Sequence, residues 1–262
     1  MSAIITPKIA RLLDEAVAQI NTKDFIADDP VQFPRLFTDL RDIEITALLV
    51  STIAWGNRKM ILRDARRMLD IMQNRPYEFV AEGCFEQIDD SLNVHRTFFG
   101  RNLKHFLRGL RDLYARYDNL DTFCRASGSS DAELPAWHLA RCLNGVLADA
   151  NKGTDDSRCL PLNTDASALK RLNMALRWLV RDDGIVDLGV WKSLKPSQLF
   201  IPLDVHSGRT ARTLGLLERR ADDRRAVVAL TEALRTLRPD DPAVYDFALF
   251  GIGVSGKALG EI

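Results

Sequence analysis

The chain has 262 residues with 36 basic and 36 acidic side chains, so its formal net charge of zero argues against a nonspecific polyanion binder, which needs a basic excess. At 46% apolar and 27% charged residues, the composition is that of a folded globular protein and excludes a largely disordered one. The longest apolar run, 45–55, is interrupted by Thr and Ser and is far short of the roughly 20 residues that cross a bilayer, so no membrane association is expected.

The start, Met1-Ser2-Ala3-Ile4-Ile5-Thr6-Pro7, lacks the basic, apolar and small-residue regions of a signal peptide, which predicts a cytoplasmic protein. It leads into an amphipathic helix over 8–21. An apolar helix follows over 43–55 and a basic one over 59–72. Between them Gly56 supplies a residue suited to positive φ, leaving Trp55, Asn57 and Arg58 on a loop between helices, where function often resides; Trp55 taken alone reads first as core closure. In the next helix, 101–117, the basic residues Arg101, Lys104, Arg108 and Arg111 recur at helical spacing, opposite Leu103, Phe106, Leu107 and Leu110. That stripe is a solvated surface or a phosphate-contacting face, and the local basic field survives a zero net charge.

Polar stretches at 126–133 and 149–165 predict exposed connections, flanking a helix over 134–148. Further helices are predicted over 166–180, 205–217, 222–237 and 242–251. The last of these reads as structural, its glycines being too sparse for a phosphate loop. With no convincing period-two alternation, the chain is predicted to be all-α. The four cysteines (Cys84, Cys124, Cys142, Cys159) are widely scattered and no two of the four histidines lie at i, i+4 spacing, so neither a metal nor a cofactor is predicted.

Chemistry-bearing residues gather in two places. In 166–180, Lys170, Asn173, Arg177 and Arg181 form a polar stripe opposite Leu169, Leu172, Leu176 and Leu179. In Ile201-Pro202-Leu203-Asp204-Val205-His206-Ser207-Gly208-Arg209, Pro202 fixes one φ and Asp204 falls at the N-cap of the following helix. The two sets are expected to converge on one cleft, with 182–203 folding back and Trp191 and Phe200 packing it down. The structural alternatives are a plain cap for Asp204, a solvated Lys170, a surface His206, and Arg177 and Arg181 paired with Asp182, Asp183 or Asp187.

With 42–45, 54–58, 95–99, 173–181, 186–191, 201–209 and 245–253 in view, nearly the whole chain resembles an uncharacterised bacterial family known as domain of unknown function 2400. More distantly, Pro202-Leu203-Asp204-Val205-His206 resembles the aspartate segment of the helix-hairpin-helix DNA glycosylase superfamily, notably archaeal 8-oxoguanine DNA glycosylase. The superfamily's Gly-x-Gly-x-Lys hairpin is absent around Lys170, where the sequence is Ala168-Leu169-Lys170-Arg171-Leu172-Asn173.

That resemblance implies a two-lobed helical fold, with a middle lobe over 42–165 and a second lobe from 1–41 and 166–262. It implies a DNA partner, damaged duplex or single strand, and excision of a damaged, oxidised base. Lys170 would form a Schiff base with the sugar, and Asp204 would support the developing positive charge. Trp55, Asn57 and Trp178 would serve as pocket or wedge residues, with Asn173 and Arg177 beside the lysine. Arg58, Arg101, Lys104, Arg108, His206 and Arg209 would contact the DNA. The alternatives are a non-catalytic nucleic-acid-binding protein on the same fold, or a small-molecule enzyme or interaction module.

Overall fold

Helix starts are set by short polar side chains that accept from the first free backbone N–H groups. In the computed structural model, which describes residues 5–255, the Thr6 hydroxyl accepts from Ile9 N and Pro7 opens α1 (Pro7–Ile20). A short α2 (Lys23–Ala27) follows, and the Asp39 carboxylate starts α3 (Leu40–Thr52) by accepting from Arg41 N. The side chain of Asn57 starts α4 (Arg58–Ile71), and Pro76 opens α5 (Pro76–Ala81). A small antiparallel hairpin, β1 (Asn93–His95) and β2 (Phe98–Phe99), precedes α6 (Gly100–Tyr114). Asn119 caps α7 (Leu120–Ala126), and α8 (Pro135–Ala150) again begins on proline. The last four helices are α9 (Lys170–Val180), α10 (Val205–Thr213), α11 (Arg224–Arg235) and α12 (Tyr245–Ser255).

The architecture is all-α apart from that hairpin, and among the described residues no helix is long and apolar enough to cross a membrane. The nine predicted helices are present with shifted ends. The helix predicted over 205–217 stops at Thr213, because Gly215 takes φ +71 and the N–H groups of Gly215 and Leu216 turn back to the carbonyls of Arg212 and Ala211. The predicted apolar helix ends at Thr52, so Gly56, at φ +98, does not cap it; it turns the chain ahead of Asn57. The helix predicted from 166 begins only at Lys170, Asn163 having capped a separate turn at Thr164–Ala166.

Helix α1 lies along α12, α10 also packs on α12, and α6 lies along α8. The last pair approaches closely at Gly109, where a Cβ would collide with Leu147. Helix α3, buried from Ile43 to Thr52, packs against α9 and so joins the middle segment to the C-terminal one. A contiguous cluster of buried apolar side chains runs from Leu13 to Leu249. The segment after α9 folds back, with Trp191 and Phe200 both buried and the Phe200 ring edge-on to Trp137 at 5.1 Å.

One buried carboxylate ties these parts together. Glu44 on α3 accepts from Trp191 Nε1 (2.8 Å), Asp121 N (3.0 Å), Leu120 N (2.9 Å) and the Tyr114 hydroxyl (3.1 Å). Glu44→Gln turns an N–H2 group toward two of these four donors. It should lower stability by about 2 kcal/mol, read as a fall in urea midpoint; an unchanged midpoint would remove Glu44 from this role.

Candidate active site

The residue before α9 is unusual. Leu169 is buried and sits in the left-handed region (φ 48, ψ 36), which a non-glycine residue adopts at a cost of about 1 kcal/mol. This turn places Lys170 at the first helical position and lets its side chain reach forward. Lys170 Nζ donates to the Ala54 carbonyl at 3.3 Å and lies 3.7 Å from Asp204 Oδ2. The other Asp204 oxygen, Oδ1, accepts from the N–H groups of His206 and Ser207, each at 2.9 Å, and so caps α10. Asp204 therefore has one oxygen committed to its helix and one turned to the lysine. The two side chains are 30% and 37% exposed, so as a bare ion pair they contribute at most about 1 kcal/mol, while remaining open to a ligand.

Both residues line a cavity of about 1090 Å³, large enough for a nucleoside. Its walls are partly aromatic. Phe25 meets Phe250 edge-on at 5.7 Å, the Arg58 guanidinium stacks 4.8 Å from the Phe250 ring, and Trp55 and Met174 also face the cavity. The loop carrying Trp55 is held at its carbonyls: Arg171 donates to Thr52, Lys170 to Ala54 and the buried His95 to Trp55 at 2.9 Å. The other ring nitrogen of His95 lies 2.7 Å from Asp64, which fixes the imidazole from behind.

The cavity floor is ionic. Arg177 bonds Asp246 and lies 3.3 Å from Asp187, and Asp187 also receives Arg181. Arg181 is further paired with Asp183 at 3.0 Å and Asp241 at 2.9 Å. Asp29, at the cavity wall, accepts from Val31 N at 3.0 Å; burial raises its affinity for a proton, opposed by Arg177, Arg58 and Lys170. Burial likewise pushes Asp246 up to about 6 from an ordinary 3.8, with Arg177 pulling it down and Asp204 adding to the rise.

Between pH 3.8 and about 6 the folded chain holds a proton on Asp246 that the unfolded chain has lost. The contribution of Asp246 to stability therefore declines as pH rises through that window. A carboxyl-carbon NMR titration should place its midpoint near 6, and Arg177→Met should move it higher. A midpoint near the ordinary carboxylate value would contradict this reading of the floor.

Of the residues expected at the site, Lys170, Asp204, Trp55, Arg58, Arg177 and His206 line this cavity. Asn57 does not; its side chain accepts from Met60 N as the cap of α4. Trp178 is fully buried in the core and is no wedge, because on α9 it projects with the apolar side. Asn173 is also buried, donating to the Ala168 carbonyl behind the lysine. Lys104 is paired with Asp90, Arg108 with Glu86 at 2.6 Å, and Arg101 stacks over Phe99; none of the three lines the cavity. Arg209 is exposed outside it. The stripe on α6 thus meets acids from the preceding loop. Nothing in the sequence around Asp29, Asp246 and Phe250 departs from ordinary caps and core, so the sequence alone does not point to them.

Among the described residues no group of three or more His, Cys, Asp or Glu is placed to hold a metal ion. The four cysteines are free thiols. No curated protein and no solved structure matches the chain. One family profile, described as "Protein of unknown function (DUF2400)", matches residues 29–255. That match takes in α3 to α12 with the Lys170 and Asp204 segments, and the chain belongs to this family.

Proposed function

We propose that the protein is a DNA glycosylase with lyase activity that takes a damaged, oxidised base into the cavity and excises it with Lys170 and Asp204. The observation that carries the reading is the 3.7 Å approach of Lys170 Nζ to Asp204 Oδ2, across 33 intervening residues, inside a nucleoside-sized cavity. The aromatic walls offer stacking faces for an extruded base, and the carboxyls of Asp29 and Asp246 offer partners for its polar edge.

The chemistry balances on the lysine's own protons. The Lys170 ammonium gives one proton to Asp204 and attacks C1′ as the amine; the C1′–N bond breaks with its electrons on the base, which leaves with that proton. The C1′–O4′ bond then opens, O4′ takes a second proton, and the third stays on the iminium nitrogen. Asp204, ionised again, sits beside the positive charge.

Borohydride adds hydride to that iminium and leaves a stable secondary amine. Wild-type protein incubated with DNA carrying an abasic site or 8-oxoguanine should give a covalent complex on a denaturing gel, and Lys170→Gln should give none while keeping its fold. A wild-type protein that binds such DNA yet neither traps nor releases base would sink the catalytic reading and leave a binding protein.

A further inference from the structure

Beside the large cavity, and sharing Trp55 and Arg171 with it, lies a second pocket of about 230 Å³, lined by Trp55, Ser157, Arg158 and Arg171. It is smaller than the roughly 300 Å³ at which whole-ligand pockets begin, so it suits one compact group. Its charge is one-sided. The Arg171 guanidinium stacks 5.5 Å from the Trp55 ring, while the exposed Arg158 reaches Thr97 at 3.1 Å. Arg96, on the turn between β1 and β2, lies over Gly56, where a Cβ would collide with its guanidinium.

Among the described residues none of these three arginines pairs with a carboxylate, whereas Lys104 and Arg108 on α6 both do. The neighbouring Asp156 has its oxygens taken by Asn102 Nδ2 and Arg158 N. Burial weakens the hold of Arg171 on its proton, with Cys159 opposing and the charge of Arg158 adding a smaller push in the same direction as burial.

We infer that Arg96, Arg158 and Arg171 around Trp55 and Gly56 form a subsite for the phosphodiester backbone of the DNA strand whose base enters the large cavity. This rests on the nucleobase reading of that cavity. Trp55 and Arg171 line both pockets, so base and backbone would meet at one ring and one guanidinium. Planar guanidinium groups suit phosphate oxygens through paired N–H donors, and a phosphate is the compact anion the small pocket admits.

The test uses the full chain and a fluorescein-labelled, undamaged single-stranded oligonucleotide, so that no lesion chemistry enters. Anisotropy between about 50 and about 200 mM salt gives the slope of log Kd against log salt. Arg96→Ala and Arg158→Ala should each lower that slope by about 0.7, the change expected for one lost phosphate contact on a single strand, and Lys104→Ala should leave it unchanged. A slope unaltered in the Arg96 and Arg158 variants, or altered equally by Lys104→Ala, overturns the subsite, as does wild-type protein that binds no oligonucleotide. A deoxynucleoside monophosphate competing as well as the oligonucleotide at equal phosphate overturns the strand as occupant. Slopes that fall while no lesion is trapped by borohydride support the subsite and defeat the excision chemistry, which separates the two failures.

Discussion

Asp204→Asn should slow base release by 10²- to 10³-fold, on the order of 3–4 kcal/mol of lost transition-state stabilisation, with little change in stability or DNA affinity. The expectation follows from the division of labour between the two oxygens. Oδ1 holds the N–H groups of His206 and Ser207, and an asparagine carbonyl replaces it at equal worth as a cap. Oδ2 faces Lys170, and there asparagine presents N–H2 to an ammonium instead of a carboxylate. The amine then loses both its proton acceptor and the negative charge beside C1′. Single-turnover release from an 8-oxoguanine duplex, set beside a binding titration, separates the two effects. Asp204→Ala is the useful contrast, since it also removes the cap and costs about 1 kcal/mol of stability. Equal rates for wild type and Asp204→Asn would exclude Asp204 from the chemistry.

A second large effect is expected away from the lysine. Asp187 is buried and serves two arginines, Arg177 through Oδ1 and Arg181 through Oδ2. Asp187→Ala removes the acid both guanidinium groups share while Arg177 keeps Asp246 and Arg181 keeps Asp183 and Asp241, so the loss should approach the lower end of the about 3–5 kcal/mol that breaking a buried pair costs. Against the 5–15 kcal/mol typical of a folded domain, that is a large fraction of the total. The urea midpoint should fall accordingly, and the floor should loosen, because Arg177 also holds Asp246. A wild-type midpoint in Asp187→Ala would show that the network carries no such weight.

Much of the helical skeleton is legible in the sequence, because long amphipathic segments such as α1, α4, α6 and α11 advertise one apolar face. The short α2, α5 and α7 span at most two turns, too few for a period to register, and the β1–β2 hairpin is equally brief. The meeting of Lys170 with Asp204 is legible too, from a cap position and a polar helix face. Which polar residues stay solvent-facing is not. The same stripe runs from Lys170 at the cavity to Arg181 in the core, because its acids, Asp187, Asp241 and Asp246, arrive from elsewhere in the chain. For α6 the period found the basic face, but Glu86 and Asp90, which pair with it, lie on the preceding segment. Asp246 and Phe250 look like ordinary members of a buried helix until α12 is seen to form a cavity wall.

The cavity wall draws on residues from Phe25 on α2 to Val254 on α12. During synthesis a ribosome therefore adds the lysine and its aspartate before Asp246 of the floor and Phe250 of the aromatic wall, which α12 contributes. If Lys170 is a nucleophile, a nascent chain stalled short of that helix would carry it in an incomplete pocket, without Asp246 and Phe250, until α12 has docked on α1 and α10.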